Sequence, residues 1–581
     1  MANGNRQGAI AALRTALTGL ASDVAPSDAR ASARMLLRLA EDEGELDIAA
    51  DAAERLAEAT SRAIFKRSMF QDRQLEQREQ ESTDFRFAAA ALVRADRLEA
   101  AVLALEAGRG RELGLLTLGD YLDLDTLSHV DPDLSRRVNE LAFGYRSDIL
   151  GLDQQAALGI SERLTDFSES LTRLQSVETA HEPMSLEELG LAAQPGQPLV
   201  YVGAAPIGGY AVVLTKGRDG KIDLEAIYAE SCDSASIARL MFGVESEGKI
   251  QVPDPDVLEQ GWPHNQVDAS LQAMSSLLGE HLLQPLGALL ERGDANGATL
   301  IPAGPIGLLP LHAMSWNTGD GATRCLIDRF EVTLAVSARV HRTCMLRASR
   351  RASGQVRLFG VANPQPLSDP LPDSELEIKL ARRSLSDGEV TVVEGQTATK
   401  QRVLNELPSA THVHFACHAH SQFYDRLLSA AFALADGQAL SALEIARLSV
   451  PARLVVASAC ETGVPQGYEE VDESLGLATA FIAAGAAGVV STLWSIDDCA
   501  AALIISKFYE GLFEEGLPPA AALRQAQLWI RLAHEADVEE YVSERGTLRA
   551  LWQRRTRSDQ AGGDKPFSAP SIWAPFVFTG A

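Results

Sequence analysis

Three short apolar runs constrain the fold most strongly, because each of them ends in residues of a reactive type. They are Thr411–His418, Arg453–Cys460 and Gly488–Trp494, and the third is followed by Asp497 and Asp498. Near-continuous apolar runs of this length are typical of parallel strands that helices cover on both faces. Open α/β folds bind their ligands at the carboxyl ends of such strands. The runs therefore predict a site at that edge of a sheet.

The segments around these runs alternate between strand-like and helix-like patterns. This alternation predicts βαβ units, and hence an α/β fold with a mostly parallel sheet and flanking helices. Polar residues 545–565 predict a loop instead, and Trp573–Gly580 predicts a final strand. The other predicted strands are Arg357–Val361 and Val390–Val393, and the predicted helices are Ser374–Ser386, Lys400–Leu407, Ala442–Leu448, Glu473–Ala484, Ala500–Glu515 and Ala520–Ala533.

Residues 1–178 are predicted to be helical throughout, because apolar residues recur every three or four positions and proline is nearly absent. The segments Ala29–Glu41, Ile48–Phe65 and Phe85–Ala107 each fit one amphipathic helix. Two interpretations stay open. The region is either a plain α-helical domain or a degenerate stack of helix pairs of the tetratricopeptide kind, without a clean repeat of fixed length.

The pattern changes near Pro195–Pro198, so a domain boundary is expected between about residues 175 and 195. Leu199–Val202 and Tyr210–Leu214 predict two strands joined across a Gly208-Gly209 turn. Further strands are expected at Lys221–Tyr228 and Ala298–Pro302, and a long helix at Asn265–Arg292.

Composition limits the function. The net charge of −27 disfavours binding to nucleic acid or anionic membranes and favours basic partners. Six cysteines without a CxxC pair predict free thiols in a reducing compartment. The N-terminal sequence lacks a signal-peptide pattern and no run of about 18 apolar residues is present, so a cytoplasmic protein without a membrane span is expected.

The reactive residues suit nucleophilic catalysis, with Cys460 as the nucleophile and His418 as its base. Each also has an ordinary structural interpretation, since a lone cysteine at a strand end is often a small buried apolar residue and a lone histidine a satisfied polar one. A metal site is a second alternative, because histidines and one cysteine crowd into residues 412–420. Strand alternation points Cys417 away from the even-numbered histidines, so no metal is predicted.

A family resemblance is carried by "THVHFACHAH", "LVVASACETG", "GLATAFIAAGAAGVVSTLWSIDD" and "AALRQAQLWIR". Five further segments carry the same resemblance: "ALEAGRGREL", "TLIPAGPIGLLPLHAM", "LPDSELE", "GQTATKQRVL" and "IWAPFVFTG". The sequence resembles the CHAT family of caspase-like cysteine peptidases, which is related to separase. The resemblance implies a caspase-like sheet with a non-catalytic half at residues 179–345 and a catalytic half at residues 346–581.

The resemblance also implies roles for single residues. The family's catalytic pair falls on His418 and Cys460, and its oxyanion hole on the backbone N–H groups of Cys460 and Ala419. Ala419 departs from the glycine that usually follows the histidine, and alanine visits positive φ less freely. No cofactor is implied, and neither a P-loop nor a dinucleotide-binding motif is present.

Substrate-binding residues are expected at Trp494, Asp497 and Asp498, with Glu461 beside the nucleophile. In separase-like members an acid at the position of Asp498 faces the substrate residue before the cut, which implies cleavage after a basic residue. The alternative is that Asp498 simply caps the helix predicted to begin at Ala500.

The resemblance implies a regulated endopeptidase in a bacterial defence or cell-death type of pathway. Its substrate would be a protein, such as a pore-forming or effector protein encoded nearby, and the helical region 1–178 would bind an activator. The alternatives are a catalytically silent scaffold on the same fold and a small-molecule thiol hydrolase.

Overall fold

A computed structural model of the protein describes most of the chain. The described residues are 6–19, 26–68, 75–110, 113, 184–242, 245–246, 249–250, 264–351, 354–366, 371, 373–420, 430–458, 476–558 and 564–581. The predicted nucleophile Cys460 and its neighbour Glu461 lie outside these residues, as do residues 114–183.

One long sheet dominates the structure. In chain order the strands are β1 (Leu199–Ala205), β2 (Gly208–Lys216), β3 (Ile222–Ala229), β4 (Glu245–Ser246), β5 (Lys249–Ile250), β6 (Gly297–Ala303), β7 (Trp316–Asn317), β8 (Thr323–Arg324), β9 (Glu331–Leu334), β10 (Val356–Pro364), β11 (Gly388–Gly395), β12 (His412–Ala416), β13 (Ala419–His420), β14 (Ala431–Ala433), β15 (Ala439–Ser441), β16 (Leu454–Ala457), β17 (Gly488–Thr492) and β18 (Phe576–Gly580). Eleven of them form the main sheet in the order β11-β10-β12-β16-β17-β18-β9-β6-β1-β2-β3.

The helices follow the predicted alternation. They are α1 (Arg6–Gly19), α2 (Pro26–Glu43), α3 (Leu46–Ser68), α4 (Leu75–Arg94), α5 (Leu98–Ala107), α6 (Leu186–Leu189), α7 (Ser234–Phe242), α8 (His264–Met274), α9 (Gln284–Arg292), α10 (Leu326–Arg329), α11 (Ala338–Arg350), α12 (Ser374–Ser384), α13 (Lys400–Glu406), α14 (Ala442–Arg447), α15 (Leu477–Ala484), α16 (Asp498–Tyr509), α17 (Pro519–Leu532), α18 (Glu535–Ser543), α19 (Gly546–Ser558) and α20 (Pro570–Trp573). A π-helical segment, Ser275–Leu283, joins α8 to α9, and another, Glu510–Glu514, extends α16. None of the described helices combines the length and the apolar character that a membrane crossing requires.

Most neighbouring strands of the main sheet are parallel, which confirms the predicted fold class. The antiparallel pairs are β1–β2, β2–β3 and β17–β18. Around β10, β12, β16 and β17, one face packs on a core that includes residues of α12 and α16–α19, and the other on residues of α11 and α13–α15. Strand residues alternate between these two cores, since Leu358 belongs to the first and Phe359 to the second. Burial of both faces explains the near-continuous apolar strands.

The last strand joins the two parts of the sheet. β18 pairs antiparallel with β17 from Gly488–Gly580 to Thr492–Phe576, and it pairs in parallel with β9 on its other side. Gly580 has a φ of +118°, and a Cβ atom there would lie 2.5 Å from the carbonyl oxygen of Ala487. Only glycine fits this close approach.

The N-terminal helices share a core with the sheet. α2 and α3 form a hairpin, and α4 packs on β1, β2 and β3. Phe87 and Leu92 of α4 belong to the same buried cluster as Tyr201 and Tyr210 of β1 and β2. The helical region is therefore continuous with the α/β part in its packing.

The prediction of a single helix over Phe85–Ala107 is wrong. α4 ends at Arg94 and α5 begins at Leu98, with Asp96 between them at a φ of +58°. A left-handed residue ends an α-helix, and aspartate tolerates this conformation better than most residues. The apolar period continues across the break, so periodicity alone did not reveal it.

The prediction that Gly208-Gly209 forms a turn is also wrong. The turn lies at Pro206-Ile207, and both glycines belong to β2. A Cβ atom on Gly208 would lie 2.7 Å from the hydroxyl of Tyr228, and one on Gly209 would lie 2.7 Å from the Cβ atom of Cys232. These glycines therefore permit close packing.

The predicted loop over residues 545–565 contains a helix. α19 buries Leu548, Leu551 and Trp552, which are spaced three and four residues apart on one face. The many arginines of this segment obscured that spacing. Arg555 then packs over the ring of Phe567, with its guanidinium carbon 4.5 Å from the ring centre.

A buried carboxylate ties the helical region to the sheet. Glu106, at the end of α5, accepts a hydrogen bond from the hydroxyl of Tyr201 at 2.9 Å. It also accepts hydrogen bonds from the backbone N–H groups of Ala338 and Arg339, each at 3.0 Å. These two groups begin α11, where a negative charge stabilises the helix dipole. Arg109, in the same "ALEAGRGREL" segment, donates to the carbonyl oxygen of Val336 at 2.9 Å.

α11 carries this connection across the molecule. The imidazole of His341 lies 2.9 Å from the carbonyl oxygen of Gly580 in β18. Arg347, near the other end of α11, donates to the carbonyl oxygens of Ile482 and Ala486 at 2.6 and 2.9 Å. Ile482 belongs to α15 and Ala486 follows its end. One helix thus contacts the N-terminal helices, the last strand and the helix that follows the Cys460 segment.

Replacement of Glu106 by glutamine is expected to destabilise the protein. The change lowers the free energy of unfolding by about 2 kcal/mol, because the carboxylate accepts three buried hydrogen bonds and an amide presents only one acceptor oxygen. Urea denaturation followed by tryptophan fluorescence measures this difference. Glu99→Gln, in the exposed part of the same helix, is the matched control. Overlapping curves for Glu106→Gln and wild type would contradict the assignment.

Candidate active site

The three apolar runs form neighbouring parallel strands, as predicted. β12 pairs with β16 through Val413 and Val455, and β16 pairs with β17 through Val455 and Val489. Their carboxyl ends therefore lie at one edge of the sheet. His418 follows β12 by two residues, and Ser458 follows β16 directly. The chain leaves the described residues after Ser458 and reaches Cys460 two positions later.

A small antiparallel ladder fixes the backbone at His418. β13 pairs with β14, with Ala419 opposite Phe432, and the N–H of Ala433 donates to the carbonyl oxygen of His418 at 2.9 Å. Hydrogen-bonded and non-hydrogen-bonded pairs alternate in such a ladder. Since His418 and Ala433 form a bonded pair, the N–H of Ala419 points away from β14.

The backbone of Ala419 is extended, because the residue lies in β13. Any residue adopts this conformation, so alanine in place of the family's usual glycine brings no backbone strain here. The ladder is anchored to the core, since the ring of Phe432 stacks on that of Phe415 with 4.3 Å between the centres.

The neighbouring histidines divide between faces as strand alternation predicts. Cys417 lies in the same buried cluster as Val413 and Phe415, whereas His412 and His414 contact side chains on the opposite face. His412 packs against Phe513 with 5.5 Å between the ring centres. Burial lowers the pKa of His412 to about 4, so its ring is neutral at physiological pH.

No group of three or more histidine, cysteine, aspartate or glutamate side chains within the described parts of the chain has a geometry that could hold a metal ion. His418 itself is half-buried, whereas His414 is fully buried.

His414 is the centre of a polar cluster that sequence reasoning did not single out. Its Nε2 atom lies 3.1 Å from Glu377 Oε2 and 3.1 Å from Ser458 Oγ. Its Nδ1 atom lies 3.0 Å from the hydroxyl of Tyr509. Glu377 belongs to the motif "LPDSELE" and His414 to "THVHFACHAH". The sequence signal available for this cluster was therefore that each of these two residues comes from a segment that resembles the family.

The acidic residues after β17 lie at the start of the next helix. Helix α16 begins at Asp498, and Asp497 is its N-cap, accepting a hydrogen bond from the N–H of Ala500 at 3.0 Å. The alternative of Asp498 as the cap is therefore wrong by one residue. Both carboxylates are exposed.

Two further contacts distinguish these residues. Arg555 of α19 pairs with Asp497, with 3.3 Å between Nε and Oδ1. Trp494 is buried, and its indole N–H donates to the carbonyl oxygen of Ser571 at 2.8 Å. These contacts give Trp494 a packing role and Asp497 a capping role.

The cysteines among the described residues are all buried. Burial raises the pKa of Cys232 to about 11 and the pKa values of Cys325 and Cys499 to about 12. At neutral pH these thiols stay protonated and are therefore poor nucleophiles. None of the three meets the chemical requirement for a nucleophile.

Comparison with known proteins identifies the family of the C-terminal part. The model of the CHAT domain family matches residues 272–581, which is more than half of the chain. Tetratricopeptide repeat protein 28 of Homo sapiens is 24% identical over 264 residues, covering 39% of this chain and 9% of the human protein. The chain thus corresponds to a small part of that relative's length.

Solved structures that the comparison matches to this chain include a chain in the Saccharomyces cerevisiae separase–securin complex. It is 11% identical with a TM-score of 0.45, and the match covers 92% of this chain and 37% of that chain. Another is the Arg specific cysteine proteinase gingipain R, which is 10% identical with a TM-score of 0.33 over 56% of this chain and 74% of that chain.

Thiol alkylation tests the buried state of the cysteines. Because burial raises their pKa values, Cys232, Cys325 and Cys499 are expected to resist iodoacetamide at about pH 7 while the protein is folded. In urea their pKa values return toward those of free thiols and all three should react. Peptide mass spectrometry measures each site separately. Modification of Cys325 in the folded protein as fast as free glutathione would contradict this expectation.

Proposed function

The chain belongs to the CHAT domain family, and from this membership we propose that it is a regulated cysteine endopeptidase in which Cys460 is the nucleophile and His418 the base. The observation that carries the proposal is the position of β12 and β16. The strands are adjacent and parallel, and the chain runs from their ends to His418 and toward Cys460. Neighbouring strands lie about 4.8 Å apart, so side chains that follow the ends of two adjacent parallel strands can approach each other.

The proposed reaction follows from this pair. His418 takes the proton of the Cys460 thiol, and the thiolate attacks the carbonyl carbon of the scissile peptide bond. The tetrahedral intermediate collapses as His418 returns the proton to the leaving amine, which breaks the C–N bond and leaves a thioester. Water, deprotonated by His418, attacks the thioester and releases the new carboxylate and the thiol.

The proposed oxyanion hole consists of the N–H groups of Ala419 and Cys460. Preorganised donors of this kind stabilise the negative charge that develops on the carbonyl oxygen. The ladder between β13 and β14 supports the proposal for Ala419, because it holds the backbone in place and leaves this N–H pointing out of the ladder.

The proposed specificity is for a basic residue, arginine more than lysine, before the cut. Asp498 follows β17, the neighbour of β16, so it lies at the same sheet edge as His418. Its exposed carboxylate suits a bidentate contact with a substrate guanidinium. The net charge of −27 also favours the approach of a basic substrate segment.

The proposed regulation passes through the N-terminal helices, which would bind an activator protein. Their shared core with β1–β3 and the contacts of Glu106 with α11 support this proposal. α11 in turn contacts α15, the helix that follows the segment carrying Cys460. The substrate is proposed to be a protein partner, such as a pore-forming or effector protein of a bacterial defence system.

Removal of either member of the pair is expected to abolish cleavage. The protein is co-expressed with candidate partner proteins, and new N-termini are identified by mass spectrometry. Cys460→Ala and His418→Ala should lower the cleavage rate on the order of 10⁴-fold or more, because the covalent step is lost. Cys232→Ala, which removes a thiol from another buried core, should cleave like wild type. Products that persist in both pair variants would contradict the proposal and favour a scaffold.

Two single-charge variants test the specificity. Asp498→Asn is expected to lower kcat/KM for arginyl peptides about tenfold or more, since it removes a charge-assisted contact with the substrate. Asp497→Asn is the matched control, because it removes the same charge and asparagine still caps a helix. A profile over a peptide library measures both variants. An unchanged preference for arginine in Asp498→Asn would overturn the assignment.

A further inference from the structure

His414 lies where four elements of the structure meet. It comes from β12, Glu377 from α12, Tyr509 from the end of α16, and Ser458 from the residue after β16. The side chain of His414 is fully buried, and its ring lies 5.7 Å from that of Tyr509. Apolar side chains fill most other positions of this core.

The protons of the cluster can be assigned from its chemistry. The hydroxyl of Tyr509 is buried, and burial raises its pKa well above the usual value, so the phenol stays protonated. Its O–H donates to Nδ1 of His414. A carboxylate oxygen only accepts, so Nε2–H of His414 faces Glu377 Oε2 and is shared with Ser458 Oγ.

Ser458 is held to β12 by three contacts. Its N–H donates to the carbonyl oxygen of Phe415 at 3.1 Å, and its hydroxyl lies 3.3 Å from the same oxygen. The hydroxyl also accepts from His414 Nε2 at 3.1 Å. These contacts fix the last described residue before Cys460 against the strand that leads to His418.

A polar cluster at this place needs an explanation. A buried polar group costs free energy unless it is hydrogen-bonded, and an apolar residue in a well-packed core is often as stable as a buried ionic pair. In this cluster both ring nitrogens of His414 have partners. A satisfied polar network fixes one arrangement of its members, whereas apolar packing tolerates small displacements.

We infer that His414, oriented by Glu377 and Tyr509, is a positioning residue that holds Ser458 and thereby sets the approach of Cys460 to His418. This inference rests on the proposed peptidase function. His414 touches neither substrate nor the reacting atoms in this scheme. Its effect is geometric, because a displacement of about 1 Å between reacting groups costs on the order of 10²-fold in rate.

The experiment measures the reactivity of Cys460 without a substrate. The full-length protein is alkylated with iodoacetamide over a range of pH, and the rate at Cys460 is followed by peptide mass spectrometry. In wild type the rate is expected to rise at a pH below that of a free thiol, whose pKa is about 8.5, and His418→Ala should move this rise upward.

Variants of Ser458 then test the positioning role. Ser458→Ala is expected to slow Cys460 alkylation at neutral pH on the order of tenfold and to move the rise toward that of a free thiol. Ser458→Thr keeps the hydroxyl and should restore the wild-type profile. Tyr509→Phe keeps the aromatic ring but removes the donor to His414, and it should shift the profile in the same direction as Ser458→Ala.

Ser491→Ala provides the matched control. Ser491 is fully buried in neighbouring β17, and its hydroxyl has no hydrogen-bond partner among the residues that the structure describes. Its alkylation profile should equal that of wild type. Thermal unfolding of every variant is recorded alongside.

The outcomes separate this inference from the proposed function. A wild-type profile like that of a free thiol, unchanged in His418→Ala, would overturn the proposed dyad and the positioning role with it. A low-pH profile that depends on His418 but is unaffected in Ser458→Ala and Tyr509→Phe would overturn the positioning role alone. Loss of reactivity in Ser458→Thr together with a lower unfolding temperature would show a merely structural role and would also overturn it.

Discussion

The antiparallel pairing of β17 with β18 determines where a site can form on this sheet. β10, β12, β16 and β17 run in one direction, whereas β18, β9, β6 and β1 run in the other. The carboxyl ends of these two groups therefore lie at opposite edges. Residues that follow β12, β16 and β17 meet at one edge, and of the main-sheet strands within residues 199–334 only β2 runs in the same direction. The reversal thus separates this edge from the carboxyl ends of β1, β6 and β9.

The same reversal makes α11 a central element. The last strand is also the junction of the sheet, and α11 contacts it through His341 while its first turn is capped by Glu106 from the N-terminal helices. If α11 were capped by a residue close to it in the sequence, its cap would not connect the N-terminal helices with the sheet. Here the carboxylate comes from a residue more than 200 positions away, so folding of the helical region and of the sheet are linked through one buried group.

Sequence patterns revealed the strands of the site because burial on both faces leaves a strong local signal, as in Val413 and Val455. Alternation also placed Cys417 and His414 on opposite faces correctly. Other features depend on distant partners. The helix containing Trp552 was hidden by arginines whose partners, such as Asp497, lie elsewhere in the sequence. The helix cap is Asp497, one residue before the alternative Asp498. Apolar periodicity does not locate the first residue of a helix to within one position. The partners of His414 come from three other segments and became visible only in the folded chain.

The departure at Ala419 shows how fold-level geometry changes the meaning of a sequence difference. A glycine at such a position suggests a need for positive φ, and alanine would then weaken the donor. The extended backbone of β13 removes that need, because the direction of the N–H is set by the pairing of His418 with Ala433. The proposed oxyanion hole requires of this segment only that β13 stays paired with β14. Alanine at this position therefore brings no backbone strain that would count against the proposed oxyanion hole.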